Sequence, residues 1–232
     1  MKRSTINRKI QNTIAIAEKY NFALPKFAYW CLDDWKNNRS QVNDIIQLML
    51  GWDVTDFGEG DFDSTGAVLF TLRNGDISNR KVGVPYAEKL IHLNYKTEQK
   101  IPFHYHKVKT EDIINRAGGI LVLELYNSTP DDKLDLKSNV IVKMDGITRS
   151  FSPGEKICVM PGESITLPPG LFHTFWLRKD SGETLIGEIS SVNDDNNDNI
   201  FLNRIQRFGT VEDDEAVVYP LCSEYKTLLC NN

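Results

Sequence analysis

The spacing of apolar positions along the 232-residue chain changes character once, and that change divides the sequence. Residues 4–20 set Ile6, Ile10, Ile14 and Ala17 three and four apart, with Ser4 or Thr5 available as N-cap, which predicts an amphipathic helix. The aromatic, proline-bearing residues 22–30 read as an extended strap over a core, with Trp30 a candidate to line a pocket. Val42, Ile45, Ile46 and Met49 predict a second helix over 40–50, stopped by Gly51. After Gly58-Glu59-Gly60-Asp61 the apolar runs become short and are separated by turn signals. They cover 68–73, 87–93, 101–106, 119–126, 140–149, 156–160, 163–167, 173–177 and 184–191. Asp145-Gly146 is a strong two-residue hairpin signal within them. Many short strands at this spacing predict a β-sandwich or barrel. From 193 the chain is Asn- and Asp-rich, returns to apolar residues at Ile200, Phe201, Ile205 and Phe208, and then runs acidic over 212–215. With no repeat and no linker, 1–232 reads as a single domain. It comprises a mostly helical extension (1–60) docked outside a β body (67–192), and a tail (193–232) packed on it.

Composition narrows the class of protein. A hydrophobic content of 41% with 25% charged residues is ordinary for a soluble globular chain. The net charge of −5, with no basic run, argues against nucleic-acid binding. No apolar run is long enough for a membrane span, and the basic N-terminus lacks the apolar core of a signal peptide. Cys31, Cys158, Cys222 and Cys230 are sparse and form no C-x-x-C pair, which predicts a reduced, cytoplasmic protein.

Candidate chemistry concentrates in two stretches. Pro102-Phe103-His104-Tyr105-His106 puts two of the four histidines on alternate residues, hence on one face of a strand, and Glu111 follows five residues later. Far downstream, Gly162 and Gly170 allow tight turns, and Pro168-Pro169 stiffens the approach to a strand that presents His173. A hairpin pair between His106 and His173 would return the chain to the same wall. His104, His106, Glu111 and His173 then offer three nitrogens and one oxygen to a divalent metal, with positions open for substrate. The plainer alternative is four polar groups on a surface sheet.

The two stretches resemble the two motifs of the cupin superfamily. His104, His106, Glu111 and Gly118 match the first, and Gly162, Pro168, Gly170 and His173 the second. Glu98 stands where the first motif has a glycine, and Leu177 where the second ends in asparagine. The resemblance implies a mainly β fold, the cupin double-stranded β-helix or jelly-roll barrel. Longer runs at 27–30, 51–58, 86–90, 111–116 and 190–195 make residues 20–225 similar to the D-lyxose isomerase family. That similarity implies a homodimeric, manganese-preferring aldose–ketose isomerase acting on D-lyxose and D-xylulose and often on D-mannose and D-fructose.

The residues can be read against such chemistry. Moving a carbonyl between C1 and C2 needs a group that removes the C2 proton, and a cation on O1 and O2 acidifies that proton. Glu188, in the otherwise apolar 185–189, is the candidate base; a solvent-facing edge glutamate is the plainer reading. Lys109, between two ligands, is a candidate to polarise or protonate a sugar oxygen. Lys89 is a candidate for the same wall, and Asp194, Asp198, Arg204 and Arg207 are candidates for sugar hydroxyls at the barrel mouth. Each lysine, aspartate and arginine has a solvated-loop alternative. His92 reads as a non-ligand histidine and Glu124 as outward-facing. Zn, Co, Fe or Ni also suit the ligand set. A metal-dependent dioxygenase and a noncatalytic sugar-binding barrel are the rival functions.

Overall fold

In the computed structural model, residues 1–194 and 197–230 are described; Asp195, within the 190–195 run above, lies outside them. Thirteen strands form among these residues. The first three are β1 (Gly51–Thr55), β2 (Ala67–Gly75) and β3 (Gly83–His92), followed by β4 (His104–His106), β5 (Glu111–Gly118) and β6 (Leu121–Asn127). Next come β7 (Val140–Met144), β8 (Ile147–Phe151), β9 (Lys156–Val159) and β10 (Ser164–Leu167). The last are β11 (Leu171–Leu177), β12 (Thr184–Ser191) and β13 (Asn199–Phe201). They build an eight-stranded sheet ordered β1-β2-β3-β12-β5-β10-β7-β8, facing a five-stranded sheet ordered β13-β4-β11-β6-β9. All named pairings are antiparallel. This is the double-stranded β-helix that the two motifs imply.

Alternation decides what lies between the sheets. On β2, Leu69 turns into the core with Ile91, Ile113, Leu123, Leu125, Phe175 and Ile186, whereas Val68 and Phe70 turn outward. The outward face is covered by α1 (Arg3–Lys19), whose Ile6, Ile10, Ile14 and Ala17 pack on Trp52, Val54, Phe70 and Leu90. Each fully buried isoleucine contributes roughly 1.5–3 kcal/mol relative to exposure. The N-cap differs from expectation. Lys2 holds that position, and Ser4 lies inside the helix, bonding instead to Asp214 through its backbone N–H (2.8 Å) and its hydroxyl (2.7 Å). The tail thereby straps the first turn of α1. His92 is taken up in the same interface, its Nδ1 2.9 Å from the Thr13 hydroxyl, and burial pushes its pKa down to about 4.

The expected helix over 40–50 is only one turn, α3 (Asn43–Gln47), preceded by the short α2 (Leu32–Asn37). Met49 sits at φ +51°, which ends any helix, and Gly51 opens a strand where a helix stop was expected. Residues 1–60 therefore contribute β1 to the barrel as well as helices. The last element is α4 (Tyr225–Cys230), whose Tyr225 closes a satellite cluster with Trp35, Val42 and Cys222. The Asp145-Gly146 turn forms as the sequence predicts, with φ of +49° and +80° joining β7 to β8. Cys31, Cys158 and Cys222 are free thiols, and no helix among the described residues is long and apolar enough to cross a membrane.

Candidate metal centre and adjoining cavities

Three histidines converge because of register. His173 of β11 is paired directly opposite His104 of β4, and the period of two puts His106 on the same side of β4. Their ring centroids lie 4.1, 5.1 and 5.5 Å apart, and one nitrogen from each falls within 4.8 Å of the others. The turn before β11 locks this arrangement. Gly170, at φ +77°, donates its N–H to the carbonyl of His106 at 2.9 Å, so the second motif's turn holds the first motif's backbone. At the other departure from the motif, Glu98 adopts φ +51°, the left-handed conformation that glycine takes without strain.

The outer nitrogen of each ring faces an oxygen. His104 Nδ1 lies 2.8 Å from the Pro102 carbonyl, His173 Nδ1 3.0 Å from the Leu171 carbonyl, and His106 Nδ1 3.4 Å from Asp198 Oδ2. A carbonyl accepts, so Nδ1 of His104 and His173 carries the proton and Nε2 presents a lone pair. Nε2 of His106 and of His173 is buried without a hydrogen bond, which fits both atoms to a metal ion. Glu111 opens β5, and its carboxylate spans His106 Nε2 (3.2 Å) and His173 Nε2 (3.0 Å). Burial opposes its charge, but Lys109 and His106 outweigh that and hold its pKa well below the usual carboxylate range. The donor set of three imidazoles and a carboxylate fits a divalent transition metal.

Beside this set lies an ion network. Glu188 of β12 is paired opposite Lys89 of β3, and both turn inward. Lys109 Nζ bridges Glu188 (2.9 Å) and Glu111 (2.7 Å), while Lys89 Nζ stands 3.5 Å from Glu188 and 2.9 Å from Asn193 Oδ1. Burial works against ionisation of Glu188, yet the two ammonium groups prevail and lower its pKa. Glu188, Lys89, Lys109, His104, His106 and Glu111 line one inner chamber of about 40 Å³. A larger outer cavity of about 490 Å³ adjoins it, sharing Lys89, Leu69 and Arg207.

The remaining candidates separate. Arg207 lines both cavities and pairs with Asp53 at 2.6 Å; Asp194 lines the outer one. Asp198 is buried behind His106, its Oδ1 accepting the Val108 N–H at 2.9 Å, so it backs a ligand where a sugar contact was expected. Arg204 is exposed and lines neither of these cavities. Trp30 packs edge-on against Trp35 (5.2 Å) in the satellite cluster, away from both cavities, because Trp35 and Tyr225 offer it an aromatic seat. Glu124 faces outward and accepts the Tyr126 hydroxyl at 2.9 Å. Asp53 and Asn193 are site residues that the sequence reading missed. The signal for Asp53 was present in Trp52-Asp53-Val54-Thr55, whose polar half alternates toward the barrel interior.

The paired sheets and the buried three-histidine set define a cupin-type barrel with a candidate metal centre. A solved L-ribose isomerase of Cellulomonas parahominis shares the fold, with a TM-score of 0.57 at 12% identity over 91% of this chain and 98% of that one. That of Acinetobacter sp. DL28 in complex with L-ribose gives 0.55 at 14%, over 90% and 98%. The sequence profile of the D-lyxose isomerase family matches residues 1–225. The D-lyxose/D-mannose isomerase of Serratia proteamaculans is 41% identical over 226 residues, 97% of this chain and 98% of that protein. The enzyme of the same name from Escherichia coli O157:H7 is 40% identical over 227 residues, 97% and 99%. The chain belongs to the D-lyxose isomerase family.

Proposed function

We propose that this chain interconverts D-lyxose with D-xylulose, and D-mannose with D-fructose, in a metal-dependent reaction. The observation that carries the proposal is one set of buried groups, in which three imidazoles and Glu111 stand beside a second, ionised carboxylate, Glu188, held between Lys89 and Lys109. His104, His106, Glu111 and His173 would hold the metal. A bound divalent cation supplies Lewis-acid polarisation of the C1–C2 oxygens. Glu188 takes the proton from C2 of the open-chain sugar and returns it to C1, so the same oxygen acts as base and then as acid, while the O2 hydroxyl proton passes to O1. Lys109 donates a hydrogen bond to the sugar oxygen that gains charge, and Lys89 holds Glu188 toward the chamber. Ile91, Ile113 and Phe175 make the apolar part of the chamber wall.

Manganese is the metal we propose, with a homodimeric, cytoplasmic enzyme, on the strength of the sequence resemblance. The nitrogen-rich set with one carboxylate suits Mn(2+), and also Zn, Co, Fe or Ni. The test is to measure bound metal, then follow ketose formation from D-lyxose and D-mannose with and without chelator. Metallated protein that forms no ketose from either sugar refutes the proposal. Asp198 should matter through His106 alone. Asp198→Asn keeps an acceptor for the Val108 N–H but loses the charge behind the ring, and is expected to weaken metal affinity about 10–100-fold. Chelator competition on the purified variant checks this, and an unchanged affinity rules the orienting role out.

A further inference from the structure

We propose that Asp53 and Arg207 form a clamp at the neck between the two cavities that reads the distal hydroxyls, the C4–C6 end, of the bound sugar. This rests on the sugar-isomerase reading above. Its first ground is volume. One water needs about 10–15 Å³ of such space, so the inner chamber of about 40 Å³ accommodates a few heavy atoms, not a five- or six-carbon sugar. With C1 and C2 at the histidines and Glu188, the rest of the chain extends through the neck toward the outer cavity of about 490 Å³.

The second ground is what stands at that neck. Arg207 lines both spaces, and Asp53 lines the outer one. Asp53 comes to the interior because β1 pairs with β2 so that it lies opposite Leu69, a core residue. Its side chain is 7% exposed, an expensive place for a carboxylate unless it is matched. Arg207 Nη1 approaches its Oδ2 to 2.6 Å, one contact that still leaves carboxylate lone pairs for other donors. The arginine is itself held in place. Its carbonyl accepts the Thr55 hydroxyl at 2.9 Å, the Gln206 N–H reaches the Phe57 carbonyl at 3.0 Å, and its guanidinium lies 4.7 Å from the Phe208 ring centre.

A carboxylate beside a guanidinium offers an acceptor and a donor at fixed separation, the pattern that two neighbouring hydroxyls complete. The outer cavity lies open beyond the clamp, so a sixth carbon meets space. The clamp therefore explains how one site takes both a pentose and a hexose: it binds hydroxyls common to both, and chain length is left unread.

The experiment compares wild type with Asp53→Asn, Arg207→Met and the double variant; the last leaves no lone buried charge if a single variant folds poorly. KM and kcat are measured for D-lyxose and D-mannose, bound metal is counted, and xylitol and mannitol, which cannot isomerise, are titrated calorimetrically. Losing a hydrogen bond to a charged group corresponds to about a ten- to hundredfold loss of binding. KM and the alditol Kd are expected to rise by that factor for both sugars, with kcat falling by less and metal content unchanged. Unchanged KM and Kd in every variant, or a fall in kcat alone, overturns the clamp. A wild-type enzyme that forms no ketose overturns the underlying function, and the alditol Kd then judges the clamp by itself. Wild type that binds neither alditol overturns the clamp.

Discussion

Glu188→Gln is expected to lower kcat by about 10³-fold or more while leaving the metal bound. General-base transfer is worth about 10²–10⁴ in rate, and glutamine keeps the shape of the side chain without its basicity. The metal should stay because Glu188 lies outside the ligand set, separated from Glu111 by Lys109 at 2.9 and 2.7 Å. The fold should also survive. Lys109 retains Glu111, Lys89 retains Asn193 at 2.9 Å, and the Ser190 hydroxyl, 3.3 Å from Oε1, still finds an amide oxygen. Ketose formation, metal content by mass spectrometry and the melting curve measure the three parts separately. Running the wild type in deuterated water adds the mechanism: a proton shuttled by Glu188 exchanges with solvent and appears as deuterium on the product, whereas a hydride shift incorporates none. Turnover of Glu188→Gln near that of wild type would put the base elsewhere.

The three candidate histidine ligands were legible because each carries a local rule: alternation for His104 and His106, and a Pro-Pro-x3-His approach for His173. Glu188 was legible for the opposite reason, as a charge in an otherwise apolar strand, where a charge needs a reason. What could not be read was everything set by register. Whether Asp53 faces the barrel depends on its lying opposite Leu69, on a strand inside residues 1–60, which were expected to be mostly helical. Val42, Ile45, Ile46 and Met49 do bury apolar surface, but Val42, Ile45, Ile46 and Met49 join Trp35 in a satellite cluster that a single helical turn serves. Asp198 shows the same limit. Its residue type suited a sugar hydroxyl, and only the pairing of β13 with β4, Asn199 opposite His106, puts it behind an imidazole.

Removing the metal should affect stability as well as turnover. Without a cation the chamber keeps His106 Nε2 and His173 Nε2 buried without hydrogen bonds, next to a buried Glu111 carboxylate and the ammonium of Lys109. Such groups weigh against the folded chain, and a ligand that binds only the folded state at about a thousandfold over its Kd returns about 4 kcal/mol. For a domain of this size each kcal/mol moves Tm by about 2–4 °C. Chelation is therefore expected to lower Tm by on the order of 10 °C and to abolish ketose formation, with both restored by adding Mn(2+). His173→Ala separates the two effects of the site from a general effect of chelator. His173 contributes one of the three converging nitrogens, and its ring centre lies 4.1 Å from that of His104. The variant should start at a Tm close to that of the chelated wild type, show no further shift with chelator or Mn(2+), and form no ketose. A wild-type protein that isomerises sugars with the same Tm in chelator and in Mn(2+) would mean that these four residues do not hold the metal.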